Sequence, residues 1–312
     1  MKISIIIPVY YNQDNLLPLY EDLKSNIINV IDYKYELVLV NDGSKDNSYT
    51  VMQELAEQDK NIKIINLSRN FGSHAACLCG LINSTGDCAV IKAADQQEPS
   101  DMILDMVNSW KKGNNVVLAV RNGRQDKKSQ TLFANFYYWM VRKTSLSTMP
   151  KTGFDIYLLD RKVINVLKML DEKNSVLTGQ ILWSGFKTDI VYYTRLERKI
   201  GKSKWTLKKK IKMFTDTLFG FSTLPIKIVT VIGTLSFLGS LIWSIFELVA
   251  KLKGKIEVKG WTTLFIFNLF SFSIIMLTLG ILGEYLWRTF DSSRKRPTYI
   301  IEESNISDTI SS

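Results

Sequence analysis

The chain has 312 residues, and its 40 lysines and arginines exceed its 30 aspartates and glutamates, which gives a formal net charge of +10 at pH 7. This length suits one large α/β domain and a smaller second part. The three cysteines, Cys77, Cys79 and Cys88, cannot all pair and lack the neighbouring ligands of a zinc site. The composition therefore excludes a complete disulfide framework and predicts cysteines that pack in a reducing compartment.

The first 120 residues alternate short apolar runs with longer amphipathic segments. Strand–helix alternation of this kind predicts an α/β fold with a mostly parallel sheet covered by helices. Ligands of such sheets bind beyond the carboxyl ends of the strands. The predicted strands are Ile3–Val9, Glu36–Val40, Ile62–Asn66, Cys88–Ile91 and Asn115–Val120, and the predicted helices are Asp14–Val30, Asp46–Gln58, Ser73–Asn83 and Ser100–Lys112.

Polar residues follow three of these strands, where a nucleotide would bind. Asn41–Ser44 comes after the second strand, Arg69–Gly72 after the third and Ala93–Pro99 after the fourth. Each motif alone has a simpler interpretation, with Asp42 in an ordinary turn or Asp95 at the start of a helix. The glycine-rich fingerprints of dinucleotide-binding folds and of P-loops are absent from the sequence.

The pattern loosens after Val120. The polar residues Arg121–Lys128 predict a mobile loop, and Phe133–Arg142 predicts an aromatic-rich helix. Gly153–Leu158 predicts another strand, which a helix beginning at Arg161 follows.

A basic stretch extends from Arg195 to Lys227, with ten lysines and arginines against two acidic residues. Nucleic acid is one partner for such a patch, but an anionic membrane surface is favoured because an apolar run follows directly. We expect an amphipathic helix in the membrane interface over residues 206–224. Its apolar residues recur every three or four positions, at Leu207, Ile211, Phe214, Leu218 and Phe221.

Two long apolar runs, Ile228–Phe246 and Thr262–Gly283, contain no charged residue. Each is close to the roughly 20 residues that a helix needs to cross a ~30 Å hydrocarbon core. A pair of buried core helices is the alternative, but soluble helices rarely lack a polar face over such lengths. The sequence predicts transmembrane helices at about 226–249 and 261–287, within a membrane region at 225–290.

The membrane topology is predicted from the flanking segments. Ile3–Val9 is too short for a secretory signal, so the N-terminal domain, 1–205, is expected to remain in the cytoplasm. Lysines and arginines flank both apolar runs on that side, although the connecting loop is also basic. We expect a multi-pass protein of the cell membrane with a cytoplasmic tail at 291–312, disordered after Glu303.

In this order, the strand-end motifs resemble those of family 2 glycosyltransferases of the GT-A fold. The resemblance is to the group that transfers sugars to dolichol or polyprenyl phosphate and carries two C-terminal spans. It covers nearly the whole chain apart from the C-terminal tail. The matching segments are Ile3–Tyr10, Asn41–Asp46, Ser68–Gly72, Asp95–Pro99, Gly153–Asp155, Leu159–Lys162 and Gly201–Trp205.

The resemblance implies a binding site for a nucleotide-sugar donor, with a UDP-sugar favoured by analogy with bacterial relatives. Asp42 would accept hydrogen bonds from the base or the ribose, and the backbone near Pro8 and Tyr10 would contribute. Arg69 and Asn70 would line the same site.

The resemblance also implies that Asp95 is catalytic and binds Mg²⁺ or Mn²⁺, which prefer oxygen ligands and would neutralise the departing diphosphate. Gln97 matches the metal-site glutamine of the family. Ala93 departs from the family, because it stands where the usual Asp-x-Asp motif has its first aspartate. Either Glu98 compensates, or Asp95, Gln97 and the phosphate oxygens hold the metal alone.

A polyprenyl phosphate acceptor is largely ionised and scarcely needs a strong base. Asp155 matches a catalytic carboxylate of the family, and the alternative is a strand-end residue paired with a nearby lysine. Arginine and lysine side chains suit the lipid phosphate, although a solvated basic loop would have the same composition. The predicted acceptor-phosphate residues are Arg195, Arg198, Ser203 and Lys204.

Together these implications describe an inverting glycosyltransferase that moves a sugar from a nucleotide-sugar to polyprenyl phosphate, which is undecaprenyl phosphate in a bacterium. Its product would be a polyprenyl-monophosphate-sugar for cell-envelope glycan modification. The resemblance implies a homo-oligomer, with a tetramer as the candidate state, and no nucleic-acid partner. The alternative is a non-catalytic membrane scaffold with a degenerate glycosyltransferase fold, for which Ala93 is the best support.

Overall fold

The computed structural model describes residues 1–122, 137–143, 145–170, 172, 175–196, 207–253 and 260–306. The chain divides into two compact units. The first comprises Met1–Phe214 together with the segment from Pro297 onward, and the second comprises Thr215–Arg296. The first unit is therefore discontinuous in sequence, because the chain returns to it after the second unit.

The first unit contains an eight-stranded sheet in the order β7-β5-β6-β4-β1-β2-β3-β8. Six strands run in one direction, whereas β6 and β8 are antiparallel to their neighbours. This arrangement confirms the predicted α/β fold with a mostly parallel sheet. The strands are β1 Lys2–Val9, β2 Lys34–Asn41, β3 Ile62–Leu67, β4 Cys88–Ile91, β5 Val116–Arg121, β6 Ile156–Asp160, β7 Thr188–Tyr193 and β8 Ile301–Ser304.

Helices connect the strands and cover both faces of the sheet. The helix α1 continues into a π-helical turn at Lys24–Ile28. The helix predicted at Phe133–Arg142 is described only over residues 137–143, called α5 here. The other helices of this unit are α1 Gln13–Leu23, α2 Ser48–Gln58, α3 Ser73–Asn83, α4 Met102–Lys111, α6 Arg161–Met169 and α7 Leu177–Trp183.

The central strand β1 is buried on both faces, as its continuous apolar sequence predicts. Ile3, Ile5 and Ile7 belong to a core cluster with apolar residues of α1, α2 and α4. Ile6 points to the opposite face, where α3 approaches so closely that a side chain on Gly80 would overlap its methyl group. Alternating side chains of one strand thus position helices on both sides of the sheet.

Three parts of the sequence prediction differ from the structure. Arg121 ends β5 and is not in a loop, while residues 123–128 of the predicted loop lie outside the described residues. The edge strand β7 was not predicted, because its exposed positions carry both polar and apolar residues. The predicted disorder after Glu303 is wrong for Ser304, which pairs with Ile65 in the sheet.

The second unit contains two long helices, α9 Leu224–Leu252 and α10 Trp261–Ser293. By length and composition both are candidate membrane spans, with apolar segments at Leu224–Trp243 and Phe267–Ser293. The predicted amphipathic helix is present as α8 Leu207–Phe221, and the boundary between the two units falls within it.

Within the second unit, the last turns of α8 pack on the end of α10. Arg288 forms ion pairs with Asp216, at 3.0 Å, and with Glu284, at 2.8 Å. The Tyr285 hydroxyl donates to the Ser222 carbonyl at 3.2 Å. One of the positive charges on which the topology prediction rests is therefore paired with carboxylates of the same unit.

A buried carboxylate, Glu36, connects strands at the edge of the sheet opposite the carboxyl ends. Its side chain is 1% exposed and pairs with Lys2 at 2.7 Å and Lys63 at 2.8 Å. It also accepts hydrogen bonds from the Ser4 hydroxyl and the Thr85 side chain. Burial alone would raise the pKa of Glu36, but the bonds from Lys2, Lys63 and Ser4 outweigh it and hold the pKa well below its usual range.

We expect Glu36→Gln to lower the free energy of unfolding by about 2–3 kcal/mol at pH 7, since it removes charged hydrogen bonds in a buried site. A carboxyl group whose pKa is lowered by folding stabilises the protein above its unfolded pKa of roughly 4.3. The difference between wild type and variant should therefore shrink as the pH falls below about 4. Denaturation of the full chain in detergent measures it. The control, Glu57→Gln, changes an exposed residue of α2 and should shift stability by less than about 0.5 kcal/mol.

Candidate active site at the carboxyl edge of the sheet

Every predicted site residue that the structure describes lies at one edge of the sheet, where the parallel strands end. Because β6 is antiparallel, the residue before it reaches the same edge as the residues after its neighbours. Arg198, Ser203 and Lys204 lie outside the described residues. The residues brought to this edge are Pro8 and Tyr10 at β1, Asp42 after β2, Arg69 and Asn70 after β3, Asp95 and Gln97 after β4, Asp155 before β6 and Arg195 after β7.

The Asp42 carboxylate joins the loop after β2 to the loop after β3. Its Oδ1 accepts the Phe71 backbone N–H at 2.7 Å, and its Oδ2 accepts that of Gly72 at 3.0 Å. The Asn70 side chain donates to the Asp42 carbonyl at 3.3 Å. Asp42 is 3% exposed, so these bonds lie in a largely water-free environment. The observed bonds of Asp42 thus position the loop that carries Arg69 and Asn70, while its predicted contact with a nucleotide stays a prediction.

Gly43 allows the two loops to approach each other. Its φ of +65° lies in the left-handed region, which disfavours side chains. A Cβ at this position would also collide with the backbone of Arg69 and Asn70. Glycine is therefore required here for two independent reasons, backbone conformation and space.

The loop after β1 is attached to the same structure. The Tyr11 N–H donates to the Ser44 hydroxyl, and the Asn12 N–H donates to the Ser48 hydroxyl, both at 3.0 Å. Tyr11 has a φ of +54°, which is unusual for a bulky residue. The Tyr10 and Tyr11 rings meet edge to face at 4.7 Å between centroids. Burial raises the pKa of Tyr10, and the neighbouring Tyr11 and Asp42 raise it further, so the Tyr10 hydroxyl stays protonated.

Arg69 is exposed at this edge, and its guanidinium lies 4.0 Å from the centroid of the Phe71 ring. Its Nη1 donates to the Asn70 carbonyl at 3.3 Å. The aromatic contact orients the cation while leaving it accessible. An exposed guanidinium beside two backbone loops is suited to a phosphate group.

The loop after β4 connects to the segment after β7. The Gln97 carbonyl accepts the Leu196 N–H at 2.8 Å, and the Gln97 amide oxygen accepts a hydrogen bond from the Arg195 guanidinium. The Asp95 carboxylate accepts the Gln97 N–H at 3.3 Å. Arg195, predicted to bind the acceptor phosphate, is thus placed beside the predicted metal-binding residues. Gln96 between them has a φ of +54°, a strained backbone of the kind found at functional sites.

Lys92 was not predicted as a site residue, yet its side chain lies fully buried at the end of β4. The ammonium donates to the Glu98 carbonyl. The Glu98 side chain is 4% exposed, and one of its carboxylate oxygens, Oε2, is buried and accepts no hydrogen bond from the described residues. Burial lowers the pKa of Lys92 and raises that of Glu98, and the attraction between the two opposes both shifts. In the sequence Lys92 is only a lysine that follows an apolar strand, so nothing local predicts that its side chain is buried beside Glu98.

A second group that was not predicted surrounds Asp155. The Arg121 guanidinium forms an ion pair with the Asp155 carboxylate, and its Nε donates to the Tyr193 hydroxyl at 3.2 Å. Asp155 is 64% exposed on its side chain, whereas Tyr193 is buried. Asp155 is therefore a strand-end residue with a cationic partner, which is an arginine and not the lysine that the alternative interpretation expected. The sequence did contain one indication of this contact, because Arg121 directly follows the predicted strand Asn115–Val120 and so belongs to the same edge of the sheet as Asp155.

The fit of these residues to a divalent cation can be tested on their chemistry. Among the described residues, no group of three or more His, Cys, Asp or Glu side chains is arranged to hold a metal ion. Ala93 supplies no ligand, and Glu98 is buried. Asp95, with the remaining lone pair of the Gln97 amide oxygen, fits a cation that takes its other ligands from substrate phosphates and water, as Mg²⁺ commonly does.

Residues 4–157 match the family model for glycosyl transferase family 2. The chain is 37% identical over 307 residues to the uncharacterized glycosyltransferase YkcC of Bacillus subtilis. This alignment covers 97% of this chain and 94% of the relative. It is 32% identical over 303 residues to a prophage bactoprenol glucosyl transferase homolog of Escherichia coli K12, with 97% and 99% covered. A bactoprenol glucosyl transferase of Shigella phage SfV is 31% identical over 303 residues, with 97% and 98% covered.

Among solved structures, mannosyl-3-phosphoglycerate synthase from Rubrobacter xylanophilus shares the fold. The TM-score is 0.50 at 13% identity, over 70% of this chain and 72% of that chain. Fold and sequence relatives together define the class of this protein as a glycosyltransferase of the GT-A type. The chain belongs to glycosyl transferase family 2. This confirms the resemblance identified in the sequence and supports a glycosyltransferase over the non-catalytic scaffold.

The interlocked loops generate a prediction at Gly43. We expect Gly43→Ala to raise the donor KM and to destabilise the protein by at least roughly 2 kcal/mol, because it combines an unfavourable φ with a backbone collision. Gly113→Ala is the matched control, since Gly113 has a φ of +89° but no atom lies within 4 Å of the position that a Cβ would occupy. The control should lose about 1 kcal/mol and keep its donor KM. If Gly43→Ala and Gly113→Ala change the thermal stability and the donor KM equally, the close approach of the loops at Gly43 is contradicted.

Proposed function

We propose that this glycosyltransferase moves a sugar from a UDP-sugar to a polyprenyl phosphate, with inversion at the anomeric carbon. The product is a polyprenyl-monophosphate-sugar that serves as a donor for cell-envelope glycan modification. The observation that carries the proposal is the full-length similarity to bactoprenol glucosyl transferases, which extends from the strand-end loops through both apolar helices. Bactoprenol is a polyprenyl carrier, so the similarity supports a lipid phosphate as acceptor.

The proposed donor site comprises the loops after β1, β2 and β3. Asp42 holds the Arg69–Gly72 loop and lies near Tyr10, so the three loops meet where the nucleotide is proposed to bind. Arg69 presents an accessible positive charge that suits a diphosphate. A divalent cation, Mg²⁺ or Mn²⁺, bound by Asp95 and Gln97 would neutralise the charge of the diphosphate.

The proposed reaction needs little proton transfer. An oxygen of the ionised lipid phosphate attacks the anomeric carbon from the side opposite the nucleoside diphosphate. The bond from that carbon to the diphosphate breaks as the new bond forms, so the configuration inverts and UDP leaves. Asp155 is paired with Arg121, which favours a role in orienting the acceptor or the sugar over that of a strong base.

The proposed acceptor site is basic. Arg195 beside Gln97 supplies a guanidinium close to the predicted metal residues, where it suits the phosphate of the lipid or that of the donor. The predicted contributions of Arg198, Ser203 and Lys204 follow in the sequence, outside the described residues. We place this reaction at the cytoplasmic face of the membrane, with homo-oligomerisation as a further expectation from the family.

The experiment that tests this function offers the purified full chain a panel of nucleotide-sugars with a short polyprenyl phosphate and Mg²⁺ or Mn²⁺. We expect transfer from a UDP-sugar, and we expect Asp95→Asn to reduce it at least roughly 100-fold, because a charged metal ligand at the diphosphate is lost. Circular dichroism should show an unchanged fold.

Ala93→Asp is the matched variant in the same loop, and it should keep activity and lower the metal concentration needed for half-maximal rate. Wild-type activity of Asp95→Asn at ordinary metal concentration would refute the metal assignment. If the enzyme hydrolyses the donor but transfers no sugar to any polyprenyl phosphate, the assignment of polyprenyl phosphate as the acceptor is wrong.

The proposed topology is tested separately by cysteine labelling in intact cells. Cys77, Cys79 and Cys88 are buried, and burial raises the pKa of each thiol to about 12, so all three should react slowly in the folded protein. We expect an impermeant maleimide to label Lys253→Cys, at the end of α9, and not Lys112→Cys, after α4. The reverse pattern would exclude the use of a cytosolic donor.

A further inference from the structure

The segment that follows α10 returns to the first unit and covers the outer edge of β3. The strand β8 pairs antiparallel with β3, and the paired residues include Leu67 with Ile301 and Ile65 with Ser304. The Ser68 N–H donates to the Ile300 carbonyl at 3.0 Å, which extends the pairing to the residue directly before Arg69. The last hydrogen bond of this strand pair therefore adjoins the loop of the proposed donor site.

Side chains reinforce this pairing. Asn305 accepts the Ile64 N–H at 2.8 Å through its side-chain oxygen and donates its amide group to the Ile62 carbonyl at 3.2 Å. Its own N–H donates to the Ile64 carbonyl at 3.2 Å. The Tyr49 hydroxyl of α2 donates to the Glu303 carboxylate at 2.9 Å. These specific bonds distinguish β8 from an adventitious edge contact.

The same segment also contacts α3, the helix that begins directly after the Arg69–Gly72 loop. The Tyr299 hydroxyl lies close to Cys79 and Asn83 of α3. Burial, with a contribution from Cys79, raises the pKa of Tyr299. Thus one short segment holds β3 before the loop and α3 behind it.

We propose that residues 297–306 are a positioning element of the donor site, which they serve without touching the donor. They fix β3 and α3 relative to each other, so that the Arg69–Gly72 loop meets Asp42 in a binding-competent arrangement. This inference rests on the proposed function, because it takes that loop to bind the nucleotide. An edge strand that loses its partner gains conformational freedom, and a loop that is competent for only part of the time binds its ligand correspondingly more weakly.

The test compares two truncations of the full-length protein in detergent. Truncation after Arg296 removes the segment, whereas truncation after Ile306 keeps it and is the control. The first should weaken binding of UDP in the presence of Mn²⁺ about tenfold or more, measured by titration calorimetry, and the control should bind as the full chain does. Hydrogen exchange of the Phe71 and Gly72 amides should accelerate in the first truncation only.

A point variant keeps the inference testable where the truncated chain does not fold. Asn305→Ala removes the two side-chain bonds to β3 and should raise the Kd for UDP and the donor KM, with the acceptor KM unchanged. A peptide of residues 297–306, added in excess, should restore UDP binding to the chain truncated after Arg296.

The inference would be overturned if both the truncated chain and Asn305→Ala bind UDP as the full chain does and keep slow hydrogen exchange at Phe71 and Gly72. Accelerated loop exchange with unchanged UDP affinity would also overturn it, since the loop would then not belong to the donor site. Failure of the proposed function would be seen separately, because the wild-type chain would then transfer no sugar. UDP binding and hydrogen exchange of the Phe71 and Gly72 amides would still show whether β8 positions the loop.

Discussion

The buried carboxylate of Asp42 accepts the backbone N–H groups of Phe71 and Gly72, and the loops at the carboxyl edge of the sheet depend on this interaction. Without it, two half-buried N–H groups directly before α3 would lose their acceptor, which costs up to about 1–3 kcal/mol for a group shielded from water. Because Gly43 lets the loops approach and Ser44 accepts the N–H of Tyr11, three loops are held together at one point. The candidate site is thus held in place by hydrogen bonds to the backbone of its loops.

The charge distribution at the β4 loop follows from the substitution of an alanine for an acid. With Ala93 in place of the first aspartate of the family motif, Asp95 is the accessible carboxylate of this loop. Two cations lie close by, Lys92 in the interior and Arg195 at the surface. Such a site is less negative than one with two aspartates, which suits an arrangement in which donor phosphates supply most of the ligands of a cation.

The discontinuity of the first unit is the other main consequence of the fold. The chain passes through the two apolar helices and then contributes β8 to the sheet in which it began. Covering β3 removes an exposed edge, which protects against non-specific strand pairing. It also ties the segment after α10 to Ser68, directly before the Arg69–Gly72 loop. A segment that looks like a tail in the sequence is structurally part of the first unit.

The sequence alone predicts five of the six parallel strands, the helices between them and the two apolar helices, because each is encoded by a local period of apolar residues. It also placed Asp42, Asp95 and Asp155 at strand ends, and hence at one edge. The contacts of these residues arise only in the folded sheet. Arg195 and Gln97 are 98 positions apart, Arg121 and Asp155 are 34 apart, and β8 meets β3 more than 230 residues away. Such pairings leave no local pattern, since they depend on strand order and on the direction of β6 and β8, which packing of the whole sheet decides.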